Sequence, residues 1–302
     1  MYKQLKLNPI SKKNNFIINK DIIDKMLYET ILECPFSTFP YMQGKSSKQC
    51  QRKKQGNCIA LSMYLKNKLR KQNIKSFLIP ASVPKKYSHS GYLNISHCAL
   101  AIVDINDNIF ICDPAFYFKE SVYLNPHYHT KDISTSANIY TDLNEFNIFN
   151  LKLNDSDKQL NNYQSIPKNI YYVDTHSNSD ISDKWQYYII EVINPDEAIS
   201  SFYINIKRLP FITIIDNNYK LMFILKYLDK NNISIKIYNN LLYSGNKNHI
   251  PENVQQIIKD VIGNKWKKKD FLDTTLNDNI IEFIEDNGKS KTRKNNTRKK
   301  SQ

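Results

Sequence analysis

The stretch that decides the fold reads QGNCIALSMYLKNKLRKQNI, residues 55–74. Asn57 is a residue type favoured at helix N-caps, because its side-chain oxygen accepts hydrogen bonds from the free N–H groups of the first turn. Apolar side chains then recur at helical spacing up to Arg70, which predicts an amphipathic helix. Cys58 therefore falls in the first turn, where the helix dipole and unpaired N–H groups favour a thiolate.

A second stretch, SHCALAIVDINDNIFICDPAFYF at 96–118, predicts a β-hairpin with its turn at 106–108. His97 opens the first strand and shares one face with small alanines, which leaves room for a helix end. Asp113 closes the second strand. A tight-turn count sets Asp113 opposite about Leu100, so diagonal reach, twist or a bulge is needed to bring it to His97.

These three side chains make a candidate nucleophile, base and orienting acid. A free thiol has a pKa of about 8.5 and needs a helix start or a histidine to become a good nucleophile near neutral pH. A neutral imidazole in turn needs an acceptor that fixes its tautomer. Alone, each has an ordinary structural explanation, as a core thiol, a strand histidine and a turn former. Their combination favours a catalytic triad of Cys58, His97 and Asp113.

The two segments resemble the transglutaminase-like (papain-like Cys-His-Asp) superfamily, and most closely the arylamine N-acetyltransferases. His97 follows Cys58 by 39 residues and Asp113 follows His97 by 16, similar to the spacing in that family. The Asp113-Pro114 pair looks more like the transglutaminase-like peptidases and amidases. A weaker similarity, in VINPDEAISSFYIN at 192–205, is to the strand start that precedes the family's β-barrel. The sequence departs from the family where Lys54-Gln55-Gly56-Asn57 replaces its Arg-Gly-Gly.

The resemblance implies a cysteine-nucleophile acyltransferase. An acyl group would pass from acetyl-CoA or another acyl-CoA, through Cys58, to a small-molecule or peptide amine. The Cys58 backbone N–H would hold the oxyanion with a second donor that the sequence does not locate. Basic side chains available for the CoA phosphates are Lys207, Arg208, Lys220 and Lys226. Two alternatives stay open: a peptidase, amidase or cross-linking enzyme with the same triad, and a catalytically inactive binding module with a basic tail.

The expected fold class is α+β, with the nucleophile helix packed on an antiparallel sheet of papain-like kind, then a β-rich barrel-like subdomain and a C-terminal helix. Helices are predicted at 21–33 and 251–262, and a polar loop at 43–56. The predicted domains are a catalytic core at 1–139, a β-rich subdomain at 140–245, a C-terminal helical segment at 246–288 and a disordered basic tail at 289–302.

Composition narrows the class of protein. The 302 residues carry a formal net charge of +14, but seven of the basic residues and no acid lie in the tail, which leaves +7 elsewhere. Such a tail is typical of a solubilising or localising segment, and weak, nonspecific contact with nucleic acid is the alternative. The sequence shows neither a secretory leader nor a membrane span, and its 5 cysteines have no regular spacing. A cytoplasmic protein with free thiols is therefore expected.

Other constellations give weaker signals. His127 and His129 alternate as metal ligands could, but no cysteine or carboxylate pair with ligand spacing accompanies them, so no metal is expected. Cys98 and Cys112 flank the hairpin turn and are expected to be buried core thiols. Cys34 and Cys50 have no CxxC partner, so a zinc finger is not supported.

Overall fold

A computed structural model describes residues 7–9, 13–82, 97–118, 120–124, 134–142, 145–155, 170–174, 185–188, 190–192, 210–266 and 271–272. Its helices are α1 Lys20–Glu33, α2 Phe39–Met42, α3 Ser47–Arg52, α4 Cys58–Lys71 and α5 Glu252–Ile262. A 3-10 turn, Pro114–Phe116, follows the predicted hairpin. The strands are β1 Leu7–Pro9, β2 Phe36–Ser37, β3 Phe77–Ser82, β4 His97–Val103, β5 Ile109–Cys112, β6 Val122–Leu124, β7 Ser134–Asp142, β8 Glu145–Asp155, β9 Ile170–Asp174, β10 Trp185–Tyr188, β11 Ile190–Val192, β12 Phe211–Ile215, β13 Leu221–Tyr227, β14 Asn232–Ile237 and β15 Asn240–Asn246.

The strands form antiparallel sheets, so the predicted α+β class is confirmed. One sheet has eight strands in the order β6-β5-β4-β3-β10-β9-β8-β7, and another has five in the order β15-β14-β13-β12-β2. The five-stranded sheet is open, and the expected closure into a barrel is not seen among the described strands. Closure would need a ladder between the two edges, and β2 is only 2 residues long before the chain turns into α2.

Local signals account for most of the elements. The helix predicted at 21–33 is confirmed as α1, whose N-cap Asn19 accepts a hydrogen bond from Asp21 N. The helix predicted at 251–262 is confirmed as α5. The loop predicted at 43–56 is wrong in part, because it contains α3. A capping box holds α3: Gln49 N donates to Ser46 Oγ, and Ser46 N donates to Gln49 Oε1. That S-x-x-Q spacing is a helix-start signal in the sequence itself.

Strands from both sides of residue 139 share the eight-stranded sheet. The hairpin strands β4 and β5 lie at one end, and β8, β9 and β10 continue the sheet beyond β3. The division into domains at 139/140, 245/246 and 288/289 stays a prediction. The tail at 289–302, His127, His129, Lys207 and Arg208 lie outside the described residues.

Two hydrophobic cores hold the sheets. In the first, α4 packs its buried face on β3 and β4, with Leu65 and Leu69 fully excluded from solvent. In the second, α5 covers the five-stranded sheet with Val254, Ile258 and Ile262. In both helices the apolar residues recur at helical spacing, so each helix has one apolar face, and that face packs against a sheet.

Gly56 joins the five-stranded sheet to the start of α4. Ser37 N in β2 donates to Gly56 O at 2.8 Å, and Gly56 N donates to Pro35 O at 3.4 Å. Phe36 in turn pairs with Thr213 of β12. The backbone that precedes Cys58 is therefore hydrogen-bonded to the edge of the second sheet.

Replacing Gly56 with alanine tests this junction. Gly56 has a φ of +152°, and a Cβ there would lie 2.5 Å from Ala60 Cβ. Gly56→Ala should therefore lower the free energy of unfolding by about 2–4 kcal/mol, measured by urea denaturation. Gly44→Ala is the matched control, because Gly44 has a φ of +70° with nothing within 4 Å of the added carbon. It should cost only about 1 kcal/mol; equal losses in the two variants would contradict the packing role of Gly56.

Candidate active site

Cys58 is the first residue of α4, as the cap signal predicts. Asn57 Oδ1 accepts hydrogen bonds from Ile59 N at 3.1 Å and Ala60 N at 3.3 Å. Tyr41 also donates its hydroxyl to Asn57 Oδ1. The start of α4 is thus held by a buried side-chain network, and Cys58 is fixed at the positive end of a 14-residue helix.

Asp113 reaches His97 diagonally across the hairpin. In the register of β4 and β5, Leu100 pairs with Cys112, so Asp113 comes level with Ala99. The sequence count was off by one residue, while the diagonal reach it required is found. Asp113 leaves the ladder as the N-cap of the 3-10 turn, where its Oδ1 accepts from Phe116 N at 3.3 Å. Its Oδ2 is then free to accept the His97 Nε2–H at 2.6 Å.

His97 lies between Asp113 and Cys58. Burial alone would lower its pKa, but the charge of Asp113, the hydrogen bond to it and the contact with Cys58 together raise the pKa to about 10. Because Nε2 faces Asp113, the other ring nitrogen, Nδ1, is left for Cys58. The imidazole therefore keeps its proton at neutral pH beside the thiol, an arrangement that favours thiolate chemistry.

Tyr187 completes the site and was missed by the sequence analysis. Its hydroxyl donates to Asp113 Oδ2 at 2.8 Å, and its side chain is fully buried. The strand register explains the contact: Tyr187 pairs with Ala81, which pairs with His97. The small Ala81 lets the tyrosine reach past it. Among 20 scattered tyrosines, no local signal marks this one, because the pairing of β10 with β3 decides it.

Phe116 fixes the orientation of the imidazole from another side. Its ring meets the His97 ring edge-on, with centroids 4.5 Å apart. The 3-10 turn that brings Phe116 there is the same turn that Asp113 caps. The Asp-Pro-Ala-Phe sequence thus supplies both the carboxylate and the aromatic ring that contact His97.

The other thiols are unsuited to nucleophilic chemistry. All five cysteines are free and buried, which confirms the expectation that Cys98 and Cys112 are core thiols. Burial raises the pKa of Cys34 to about 12 and that of Cys50 to about 11. Burial also raises the pKa of Cys98 and Cys112 well above the ordinary value. These four cysteines are therefore protonated at neutral pH.

The described residues show neither a metal-site cluster nor a membrane-spanning helix. In that part of the chain no group of three or more His, Cys, Asp and Glu side chains has the arrangement of a metal site. Over the same residues, no helix combines the length and the apolar character needed to cross a bilayer.

Several solved structures are similar to this one. An arylamine N-acetyltransferase from Mycobacterium smegmatis matches with a TM-score of 0.53 and 9% identity, over 90% of this chain and 94% of that one. The enzyme from Salmonella typhimurium matches with a TM-score of 0.54 and 9% identity, over 85% and 92% of the two chains. The protein has the fold of the arylamine N-acetyltransferases. The family expected from the three segments is thereby confirmed at the level of the fold.

The similarity lies in the structure and not in overall sequence. An arylamine N-acetyltransferase from Bacillus cereus, described as having a Cys-His-Glu catalytic triad, matches with a TM-score of 0.51 and 11% identity over 84% of this chain and 94% of that one. Neither a family sequence model nor a curated protein sequence matches the chain.

The raised pKa of His97 predicts a specific pH dependence of stability. The protonated imidazole stabilises the fold fully below its ordinary pKa of 6.5, and this contribution is lost as the pH rises through about 10. The free-energy difference of unfolding between wild type and His97→Gln should therefore shrink by on the order of 2 kcal/mol over that range. Urea denaturation at several pH values measures it. A difference that stays constant or grows with pH would contradict a charged His97.

Tyr187→Phe tests whether the Tyr187 hydroxyl positions the Asp113 carboxylate. Losing one buried hydrogen bond should lower the free energy of unfolding by about 1 kcal/mol and slow iodoacetamide alkylation of Cys58 about fivefold, because Asp113 and His97 are held less firmly. Tyr123→Phe is the matched control, since that hydroxyl donates to Asn108 at 3.0 Å, away from His97. It should cost similar stability without slowing alkylation. Equal alkylation rates in the two variants would show that Tyr187 does not position Asp113 and His97.

Proposed function

We propose that the protein is a thiol-dependent acyltransferase, similar in reaction to the arylamine N-acetyltransferases, that transfers an acyl group from acyl-CoA through Cys58 to an amine. One observation carries the proposal: Cys58 at the start of α4 contacts His97, which donates at 2.6 Å to the buried carboxylate of Asp113. This is the constellation that nucleophile, base and orienting acid require. The fold shared with known acyltransferases supports it.

In the first step, the Cys58 thiolate attacks the thioester carbonyl carbon. The tetrahedral intermediate collapses, the bond between that carbon and the CoA sulfur breaks, and the imidazolium of His97 gives its proton to the leaving thiolate. The products are free CoA and an acyl group on Cys58, with His97 now neutral. Asp113 holds Nε2–H throughout, so that Nδ1 faces the reaction.

In the second step, an amine attacks the acyl-cysteine carbonyl. Neutral His97 takes the proton that the amine loses, the carbon–sulfur bond breaks, and Cys58 leaves as a thiolate beside the restored imidazolium. The amide product departs. Cys58 and His97 are each only 4% exposed. Transfer is favoured over hydrolysis when the bound acyl group and amine occupy this site in place of water.

The acyl donor and acceptor belong to the same proposal. A thioester of CoA fits a thiol nucleophile, because one thiolate replaces another and the acyl-cysteine that forms is again a thioester. Phosphate contacts to Lys220 and Lys226 stay a prediction, as does the use of a peptide amine in place of a small arylamine or alkylamine. The cytoplasmic location and the nucleic-acid contact of the tail at 289–302 likewise stay predictions.

Intact-mass spectrometry tests the reaction. Incubation with acetyl-CoA should add one acetyl group to Cys58, and an added arylamine or alkylamine should remove it at least about tenfold faster than water does. Cys58→Ser should reduce acylation by at least about 10³-fold without unfolding the protein. Cys34→Ala is the matched control, a buried cysteine at the end of α1 that should leave acylation intact.

Each alternative has its own signature in this experiment. Cleavage or cross-linking of peptide amides, with no acetyl mass on Cys58, would establish the amidase-like alternative. A Cys58 that iodoacetamide labels no faster than the four protonated thiols, with no acylation, would establish the inactive binding module and overturn the proposal.

A further inference from the structure

The described residues contain three buried side-chain polar atoms that have no hydrogen-bond partner: Ser37 Oγ, Asn57 Nδ2 and Ser76 Oγ. An unpaired buried donor has lost its hydrogen bonds to water without replacement, so native structures keep few such groups and those that persist need an explanation. Asn57 is 1% exposed and directly precedes Cys58. Its unpaired amide is therefore both costly and next to the proposed nucleophile.

Helix capping explains the oxygen of the Asn57 side chain but not its amide nitrogen. The cap requires an oxygen acceptor, which Asn57 Oδ1 supplies to Ile59 N and Ala60 N. Serine, threonine or aspartate would supply such an oxygen equally well and would bury no NH₂ group. Tyr41 also binds the oxygen end of the carboxamide. The amide nitrogen takes no part in any of these contacts.

The geometry of the cap sets where that nitrogen lies. Since Oδ1 spans the N–H groups of the first turn, the planar carboxamide lies across the N-terminal end of α4, and Nδ2, on the same carbon, lies at that end too. The Cys58 backbone N–H is also at this end, and no acceptor for it is found in the described part of the chain. Two donors from consecutive residues, neither with a partner among the described residues, are thus present at the helix start that carries the Cys58 thiol.

We infer that Asn57 Nδ2 is the second oxyanion donor and binds, with the Cys58 N–H, the carbonyl oxygen of the acyl group. When the Cys58 sulfur bonds to the carbonyl carbon, the carbon–oxygen π electrons move to the oxygen, and both donors hydrogen-bond to the resulting negative charge. The inference rests on the proposed function, because it needs attack on a carbonyl. It assigns to Asn57 the donor that the sequence could not locate.

The test compares two reactions of the same thiol. Alkylation by iodoacetamide displaces iodide and forms no oxyanion, whereas acetylation by p-nitrophenyl acetate or acetyl-CoA passes through one. Asn57→Ser keeps a good N-cap and removes the amide donor. The ratio of the acetylation to the alkylation rate constant for Cys58 should fall about 10²-fold or more in this variant. The ratio cancels changes in thiolate content, which affect both reactions.

Asn57→Asp is the second variant, nearly identical in shape, also a good cap, and likewise without the donor. If the serine variant does not fold, the ratio can still be compared between this variant and the wild type. The ratio should fall in it as well, because the donor is gone and the new carboxylate also repels the oxyanion, which only acetylation forms. An unchanged ratio in a folded variant of either kind overturns the inference and leaves Asn57 a capping residue.

The outcomes for the wild type separate the two proposals. Acetylation of Cys58 by p-nitrophenyl acetate but not by acetyl-CoA would contradict the CoA-dependent function. The comparison of variants with p-nitrophenyl acetate would still decide the role of Asn57. Acetylation by both donors with an unchanged ratio in the variants would keep the proposed function and overturn only the Asn57 role. Alkylation without acetylation by either donor would overturn both.

Discussion

The buried hydrogen bond between His97 and Asp113 constrains the rest of this structure. Two ionised groups removed from water are stable only if their remaining hydrogen-bonding positions are filled. Asp113 meets this condition with three donors: His97 Nε2–H, the Tyr187 hydroxyl and Phe116 N. Each comes from a different element, so the hairpin register, the 3-10 turn and the placement of β10 must all be right at once. The buried His97–Asp113 pair is therefore compatible with only one register and order of these strands in the eight-stranded sheet.

The start of α4, with Cys58, is supported from the opposite side by the second sheet. The Gly56 carbonyl accepts a hydrogen bond from the backbone N–H of Ser37 in β2, and Asn57 Oδ1 accepts one from the hydroxyl of Tyr41 in α2. Tyr117, next to the 3-10 turn, contacts Thr213 of β12 through its hydroxyl. The start of α4 and the turn after Asp113 are thus both anchored to the five-stranded sheet. This explains how a thiol and an imidazole from distant segments can keep a fixed separation.

Fold and chemistry are supported by different observations. Identities of 9–11% to solved acyltransferases establish a shared architecture, and architecture alone does not specify a reaction. The chemical argument comes from this chain's own residues: one thiol at a helix start beside a charged imidazole, and four thiols that burial keeps protonated. The open sheet, in place of a closed barrel, and the short β2 are features of this protein that the resemblance did not anticipate.

The sequence by itself determined the features that depend on local interactions. The Asn57 cap, the apolar spacing of α4 and the turn at 106–108 specify a helix and a hairpin, and they place Cys58, His97 and Asp113 at the ends of those elements. Even α3 was encoded locally, in the Ser46-to-Gln49 capping box. What only the tertiary structure decided are long-range pairings: β10 beside β3, which brings Tyr187 to Asp113, and β2 against Gly56. Strand partners far apart in the chain are selected by the packing of whole faces, and no short segment carries that information.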